Sequence, residues 1–374
     1  MWGQNKMRTF LANLGLTLGS VFFLLVFLEL VIFRLVLAPS DLPYLSDTSQ
    51  RVLKYEPNQS GVYRIKNEIA SPFRINKNGW NSSLNDYWGE SGSSGKRICV
   101  VGDSYVESLQ VKTSDNFAEV ASRELSPEYS PALRFGISGS PLSHYLYMIE
   151  NEVLQFDPDI VVVNLVHNDF HESWVPNGGT YDTSLARFLL DNDEAVLLST
   201  PEQYRRDWTW WVKQSATFRY LWVRWKIRPQ KLREFVLRGK GEAKDEQKFI
   251  ANIKVSSALD PRIRRGVDYS FKTLHLLEKS KGVRIILILD SSSRGKRSRD
   301  HESERVSPVV QMEEMVLEKA NFYDLEIIDL AEVFYQDYKK HEIPFSFVHD
   351  GHWNSYAHRV VGAELARVVS SDKN

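Results

Sequence analysis

With one cysteine in 374 residues, the chain has no intrachain disulfide available to it. An apolar core must hold the fold, and a hydrophobic fraction of 43% supplies a full one. The lone thiol, Cys99, lies inside the apolar run Ile98-Cys99-Val100-Val101 and reads as a small buried hydrophobe. An excess of charge is also missing: 47 Lys and Arg stand against 48 Asp and Glu, for a net charge of −1. Bulk charge thus argues neither for nucleic acid nor for an acidic tail; it is the exported location implied by the N-terminus that disfavours a nucleic-acid partner. Internal repeats and long low-complexity tracts are absent, which excludes a repeat array. Without cysteine pairs the histidines form no metal-ligand framework, and neither a metal nor a cofactor is expected.

What the N-terminus does have is a long apolar run. From Phe10 to Leu28, 19 positions carry no charge, close to the ~20 residues a helix needs to cross a bilayer. Lys6 and Arg8 precede it, and a positive flank stays in the cytoplasm. A cleaved signal peptide has a shorter apolar region followed by an Ala-x-Ala-like site, a pattern not found here. Residues 1–37 therefore read as a cytoplasmic tip and a single-pass signal anchor, with the remainder exported. Glu29 and Arg34 interrupt the distal stretch LELVIFRLVL and are assigned to the interface, where long side chains snorkel.

Residues 38–95 are punctuated by proline and glycine and read as an irregular lead-in packing on the main domain, with strand-like pieces GVYRI and FRINKNGW. A strand–helix rhythm follows over 96–370. RICVVG, ALRFGI, DIVVVNLV, VRIILILD and LEIIDL read as strands. Helices are predicted over 116–125, 142–155, about 269–280, 308–320 and 355–369, with Ser307-Pro308 as a start signal. Strands alternating with helices predict a three-layer α/β/α sandwich with a mostly parallel sheet, whose active site lies beyond the C-terminal strand ends. The rhythm stops at about 171–253, which reads as an insertion. Its stretch from Tyr204 to Lys240 holds 11 Lys and Arg against two acidic residues, and five of the chain's ten tryptophans.

Chemistry-bearing residues stand at these strand ends. Gly102-Asp103-Ser104 follows the first strand, and a serine there can open the next helix beside free backbone N–H groups. Alone the tripeptide is weak, since it arises by chance in about one chain in ten of this length. Three further blocks accompany it: Gly136-Ile-Ser-Gly139, His167-Asn168-Asp169 and Asp350-Gly-His352. In order and spread, the four blocks resemble the SGNH/GDSL hydrolase family. FRINKNGWNS and VESLQV resemble a membrane-anchored bacterial subgroup of it. The resemblance covers roughly residues 62–170 and 255–370. It implies an SGNH/flavodoxin-like fold and a serine esterase or O-acyltransferase.

Acyl-transfer chemistry gives the residues their roles. Ser104 is a poor nucleophile until His352 takes its proton. His352 in turn needs a carboxylate on its other ring nitrogen, and Asp350 is placed for that. The resemblance assigns the oxyanion hole to the backbone N–H groups of Ser104 and Gly139 and to the side-chain amide of Asn168. Two departures stand out. His167 replaces the glycine usual before the Asn-Asp pair, and one residue rather than two separates Asp350 from His352. His167 and Asp103 are candidates for the pocket rim, while Asp103 and Asp169 also suit turn bracing. Glu107, one helical turn after Ser104, is expected to pack or cap. His144, His167, His171 and His349 lie near the blocks, but no metal is assigned to them.

The expected function is that of a membrane-anchored serine ester hydrolase or O-acyltransferase acting on acylated, in the first place acetylated, cell-surface or extracytoplasmic glycan. The site is expected in the periplasm, on a bacterial inner-membrane protein whose N-terminus lies inside. A lipid-directed esterase and a non-catalytic glycan-binding or assembly protein are the alternatives. The insertion has three readings: a helical subdomain packed on the core, a segment resting on anionic lipid near the anchor, or a wall of the substrate groove.

Overall fold

The computed structural model describes residues 2–48, 51–90, 95–125, 127–176, 181–191, 195–227, 260–291 and 308–371. They fall into two compact units. Of these, 2–42, Arg64–Asn67 and 206–227 form one unit, and the remaining described residues form the other.

The strands are β1 (Ser60–Ile65), β2 (Ile69–Arg74), β3 (Ile98–Gly102), β4 (Leu133–Gly136), β5 (Ile160–Leu165), β6 (Phe188–Asp191), β7 (Ala195–Leu198), β8 (Arg284–Leu289) and β9 (Glu326–Asp329), and β2 to β9 belong to the larger unit. Five of them form one parallel sheet in the order β4-β3-β5-β8-β9. In chain order that is 2-1-3-4-5, the doubly wound arrangement in which the topology reverses beside the first strand. β3, β4 and β5 are buried along their whole length. Near-continuous apolar sequence with β-branched residues is what a strand covered on both faces requires.

Alternation along the strands divides the core in two. Cys99, Val101, Val161, Val163, Ile285 and Leu287 face the helices Leu142–Met148, Pro261–Lys281 and Pro308–Phe322. Ile98, Val100, Ile160, Val162, Ile286 and Ile288 face the helices Phe117–Glu124, Leu330–His341 and Ser355–Ser370. The three-layer α/β/α sandwich is thus present. Trp80 and Tyr87 of the lead-in are fully buried against Phe135 and carry that segment into the first core. Burial pushes the Cys99 thiol well above its usual range, which suits a packing residue.

Three elements depart from the sequence reading. The helix expected at about 269–280 begins at Pro261, where Asp260 accepts from the Arg262 N–H and proline occupies the first turn. A helix not anticipated, Leu330–His341, follows β9 without a loop, because Asp329 both ends the strand and caps the helix. β6 and β7 pair as an antiparallel hairpin inside the segment read as an insertion. At the N-terminus, the helix Trp2–Phe27 continues through Leu28–Val36, so Glu29 and Arg34 lie on it. From Lys6 to Val36 it is long and apolar enough to cross a membrane. Ser307 and the basic stretch beyond Ile227 lie outside the described residues.

Gly136 is where fold and site meet. A Cβ there would lie 2.3 Å from Glu107 N and 3.0 Å from Asp103 O, both backbone atoms of the turn after β3. Gly136→Ala should therefore displace that turn and cost about 3 kcal/mol, as overpacking does. The check is the thermal midpoint of the full chain in detergent. An unshifted midpoint would mean the turn is not packed this way.

Candidate active site

Ser104 opens the short helix Ser104–Glu107 immediately after β3. Asp103 makes the turn: its Oδ1 accepts from Tyr105 N at 3.0 Å, and its Oδ2 lies 3.3 Å from Ser104 Oγ. On the other side of the hydroxyl, Ser104 Oγ is 2.8 Å from His352 Nε2. His352 Nδ1 contacts Asp350 Oδ1, and the same carboxylate oxygen accepts from the His352 backbone N–H at 3.1 Å. One intervening residue is therefore enough, since Asp350 folds back over two residues as an Asx turn and meets both nitrogens. With the carboxylate holding the proton on Nδ1, Nε2 is left to accept from the serine. Asp350 is 7% exposed and His352 19%, so the carboxylate is shielded while the ring keeps some open surface.

The histidine loop is pinned from three directions. Trp353 is fully buried among Tyr105, Phe117 and Phe334. Its Nε1 donates to Asp290, just past β8, at 3.0 Å. Glu68 accepts from the backbone N–H groups of Val348 at 2.5 Å and His349 at 2.8 Å. Asn354 caps the final helix, accepting from Tyr356 N and Ala357 N.

Gly139 and Asn168 each stand three residues beyond β4 and β5, the two strands that flank β3. Gly139 adopts a φ of +74°, a conformation that side-chain-bearing residues rarely take. The Ser138–Gly139 peptide ahead of it is held at both ends. Ser138 Oγ donates to Glu107 Oε2, and Ser138 O accepts from the Tyr181 hydroxyl at 2.6 Å. A trans peptide carries its C=O and N–H on opposite sides of one plane. Fixing the carbonyl of Ser138 thus fixes the direction of the Gly139 N–H. Asn168 Nδ2 donates to Glu172 Oε2 at 3.3 Å on the same helix, and this NH2 group carries a second hydrogen. Asp169 braces its own loop, accepting from Val166 N at 2.7 Å and Tyr145 Oη at 2.9 Å. Burial, reinforced by the Asp103 carboxylate, raises its pKa.

Asp103 and His167, expected at the pocket rim, are 2% and 5% exposed, and Asp103 Oδ1 is held on the turn by Tyr105 N. His167 and His171 lie one turn apart on the helix His167–Glu172, a spacing able to hold a metal. No group of three or more His, Cys, Asp or Glu joins in such a site among the described residues.

Sequence reasoning missed Tyr181, Asp290, Glu68 and the partners of Glu107. Glu107 is 1% exposed and accepts from Tyr55 Oη on one oxygen and Ser138 Oγ on the other. Burial raises its pKa to about 7, against the pull of those two donors. Burial likewise raises Asp103 to about 6.

No family model and no curated protein matches the chain. Among solved structures, it is similar to the acetyl xylan esterase AlAXEase at 13% identity and a TM-score of 0.38, over 73% of this chain and 99% of that one. A lipolytic protein of the G-D-S-L family from Veillonella parvula matches at 12% and 0.37, over 74% and 100%. An acetylxylan esterase from Geobacillus stearothermophilus matches at 13% and 0.39, over 75% and 97%. Likenesses this low say nothing of activity or substrate in this chain.

The Glu107 shift gives a pH signature. At low pH both folded and unfolded chains hold the proton. Between the ordinary value of 4.5 and about 7, the unfolded chain releases it while the folded chain keeps it. Stability should therefore fall through this window, by up to about 3 kcal/mol from Glu107, and level off above it. Glu107→Gln should flatten the fall. Unfolding midpoints from pH 4.5 to 8 check this, and parallel profiles for the two proteins would count against a raised Glu107.

Proposed function

We propose that the chain is a serine ester hydrolase of SGNH type, held at a membrane by its N-terminal helix. The observation that carries the reading is the unbroken contact from Ser104 Oγ through the His352 ring to Asp350. In the proposed reaction Ser104 Oγ attacks an ester carbonyl while its proton passes to His352 Nε2. The carbonyl electron pair moves onto oxygen, which the N–H groups of Ser104, Gly139 and Asn168 receive. The C–O bond to the alcohol then breaks, and the leaving oxygen takes the proton back from His352. A water or a sugar hydroxyl, deprotonated by the same nitrogen, then attacks the acyl carbon; the bond to Ser104 Oγ breaks, and Oγ takes that proton back from His352. Asp350 keeps the proton-bearing nitrogen of His352 fixed and balances the imidazolium charge.

We assign acetylated extracytoplasmic glycan as the substrate class and the outer side of a bacterial inner membrane as the location. Both assignments rest on the four motif blocks and the apolar N-terminal helix. A non-catalytic role is disfavoured, because a binding protein has no use for a serine hydroxyl 2.8 Å from a carboxylate-backed imidazole.

A fluorophosphonate probe should label the full chain at Ser104, and His352→Ala should abolish the labelling. Acetyl esters should turn over faster than long-chain ones. Failure of the folded wild-type chain to label would sink the hydrolase reading. Tyr181→Phe should leave labelling detectable but lower kcat roughly tenfold with KM little changed. That is a fraction of the 100- to 1,000-fold loss on deleting an oxyanion donor outright. A KM effect alone would place Tyr181 in substrate binding instead.

A further inference from the structure

Glu29 sits directly after the 19 uncharged residues Phe10–Leu28, about 29 Å of helix at 1.5 Å per residue. Apolar surface continues beyond it, with Leu30, Leu35 and Val36 between 51% and 74% exposed. A bare carboxylate at this depth is costly. It is instead fully engaged by the aromatic segment of the same compact unit. Glu29 accepts from Ala216 N at 2.6 Å, Thr217 N at 3.0 Å and Ser215 Oγ at 2.9 Å. Arg224 donates to the carbonyls of Leu37 and Ala38 at 2.6 and 2.7 Å, and Arg219 to Asp41 at 2.6 Å. Phe33 packs edge-on against Tyr220. The helices Trp208–Gln214 and Ala216–Phe218 are thereby fixed at the level of Glu29.

That level decides what they meet. Trp208 and Trp211, one helical turn apart, are 74% and 72% exposed, and Ile227 is 44% exposed. From Arg206 to Ile227, five basic residues stand against one acidic. Indole rings beside cationic side chains suit the headgroup boundary of an anionic leaflet. We propose that residues 206–227 form a collar lying in the leaflet at the C-terminal end of the span, with Trp208 and Trp211 inserted among the lipids. The inference rests on the reading of the N-terminal helix as a membrane span.

The full chain, reconstituted in phosphatidylcholine–phosphatidylglycerol vesicles, tests it. Nitroxides would be attached singly through Trp208→Cys, Trp211→Cys, Leu24→Cys and Glu342→Cys; native Cys99 is fully buried. Labels at 208 and 211 should relax severalfold more with oxygen than with a water-soluble nickel chelate, as at 24, and the label at 342 should do the reverse. If 208 and 211 behave like 342 while 24 stays in lipid, the collar is wrong and the span stands. Shielding of 208 and 211 from both reagents would mean that protein covers them, and would also overturn the collar. If 24 itself is aqueous, the span fails and the collar with it.

Discussion

The indole of Trp353 is the fixed point on which the Ser104–His352–Asp350 geometry hangs. It is one residue past the histidine, fully buried, and tied through Nε1 to Asp290 at the end of β8. A loop carrying a general base is mobile unless something in it is bound to the core, because loops hold few apolar contacts of their own. Here a single large side chain supplies that binding, and Tyr105 of the serine helix packs against both Trp353 and His352. Serine and histidine are thus positioned against the same aromatic wall. Glu68, holding two backbone N–H groups of the loop, completes the restraint from the lead-in side.

The sheet does the rest of the placement. β3 lies between β4 and β5, so the loops after all three strands open on one edge. Ser104, Gly139 and Asn168 come from those loops. What differs between them is how each is braced. The serine turn relies on a buried aspartate, the Gly139 peptide on a carboxylate and a phenol, and the Asn168 loop on Asp169 with Tyr145. Burial raises the proton affinity of all three acids, and the Asp103 carboxylate adds to the rise at Glu107 and Asp169.

Much of this was legible in the sequence because the signals are local. The strands announce themselves as short apolar runs, and each chemical block sits within a few residues of a strand end. What stayed hidden depends on pairs far apart in the chain. Nothing near Tyr181 says that its hydroxyl will reach Ser138, and nothing near Asp290 says that it will meet an indole. The helix Leu330–His341 was masked for another reason: Asp329 belongs to strand and cap at once, so the usual loop residues are missing. The start at Pro261 was readable from Asp260-Pro261 but fell where the strand–helix rhythm had lapsed. The tie of Glu29 to residues 215–217 was beyond sequence reading, since a charge in an apolar run looks the same whether it snorkels or is capped.

The contact between Ser104 and His352 spans 248 positions. On a ribosome Ser104 emerges long before His352. A nascent chain therefore carries the Ser104 hydroxyl without its imidazole partner until the Asp350–His352 segment docks. Contacts of such long separation are formed last and slowly. The Ser104–His352–Asp350 contact thus coincides with completion of the fold, and a chain truncated before Asp350 lacks it.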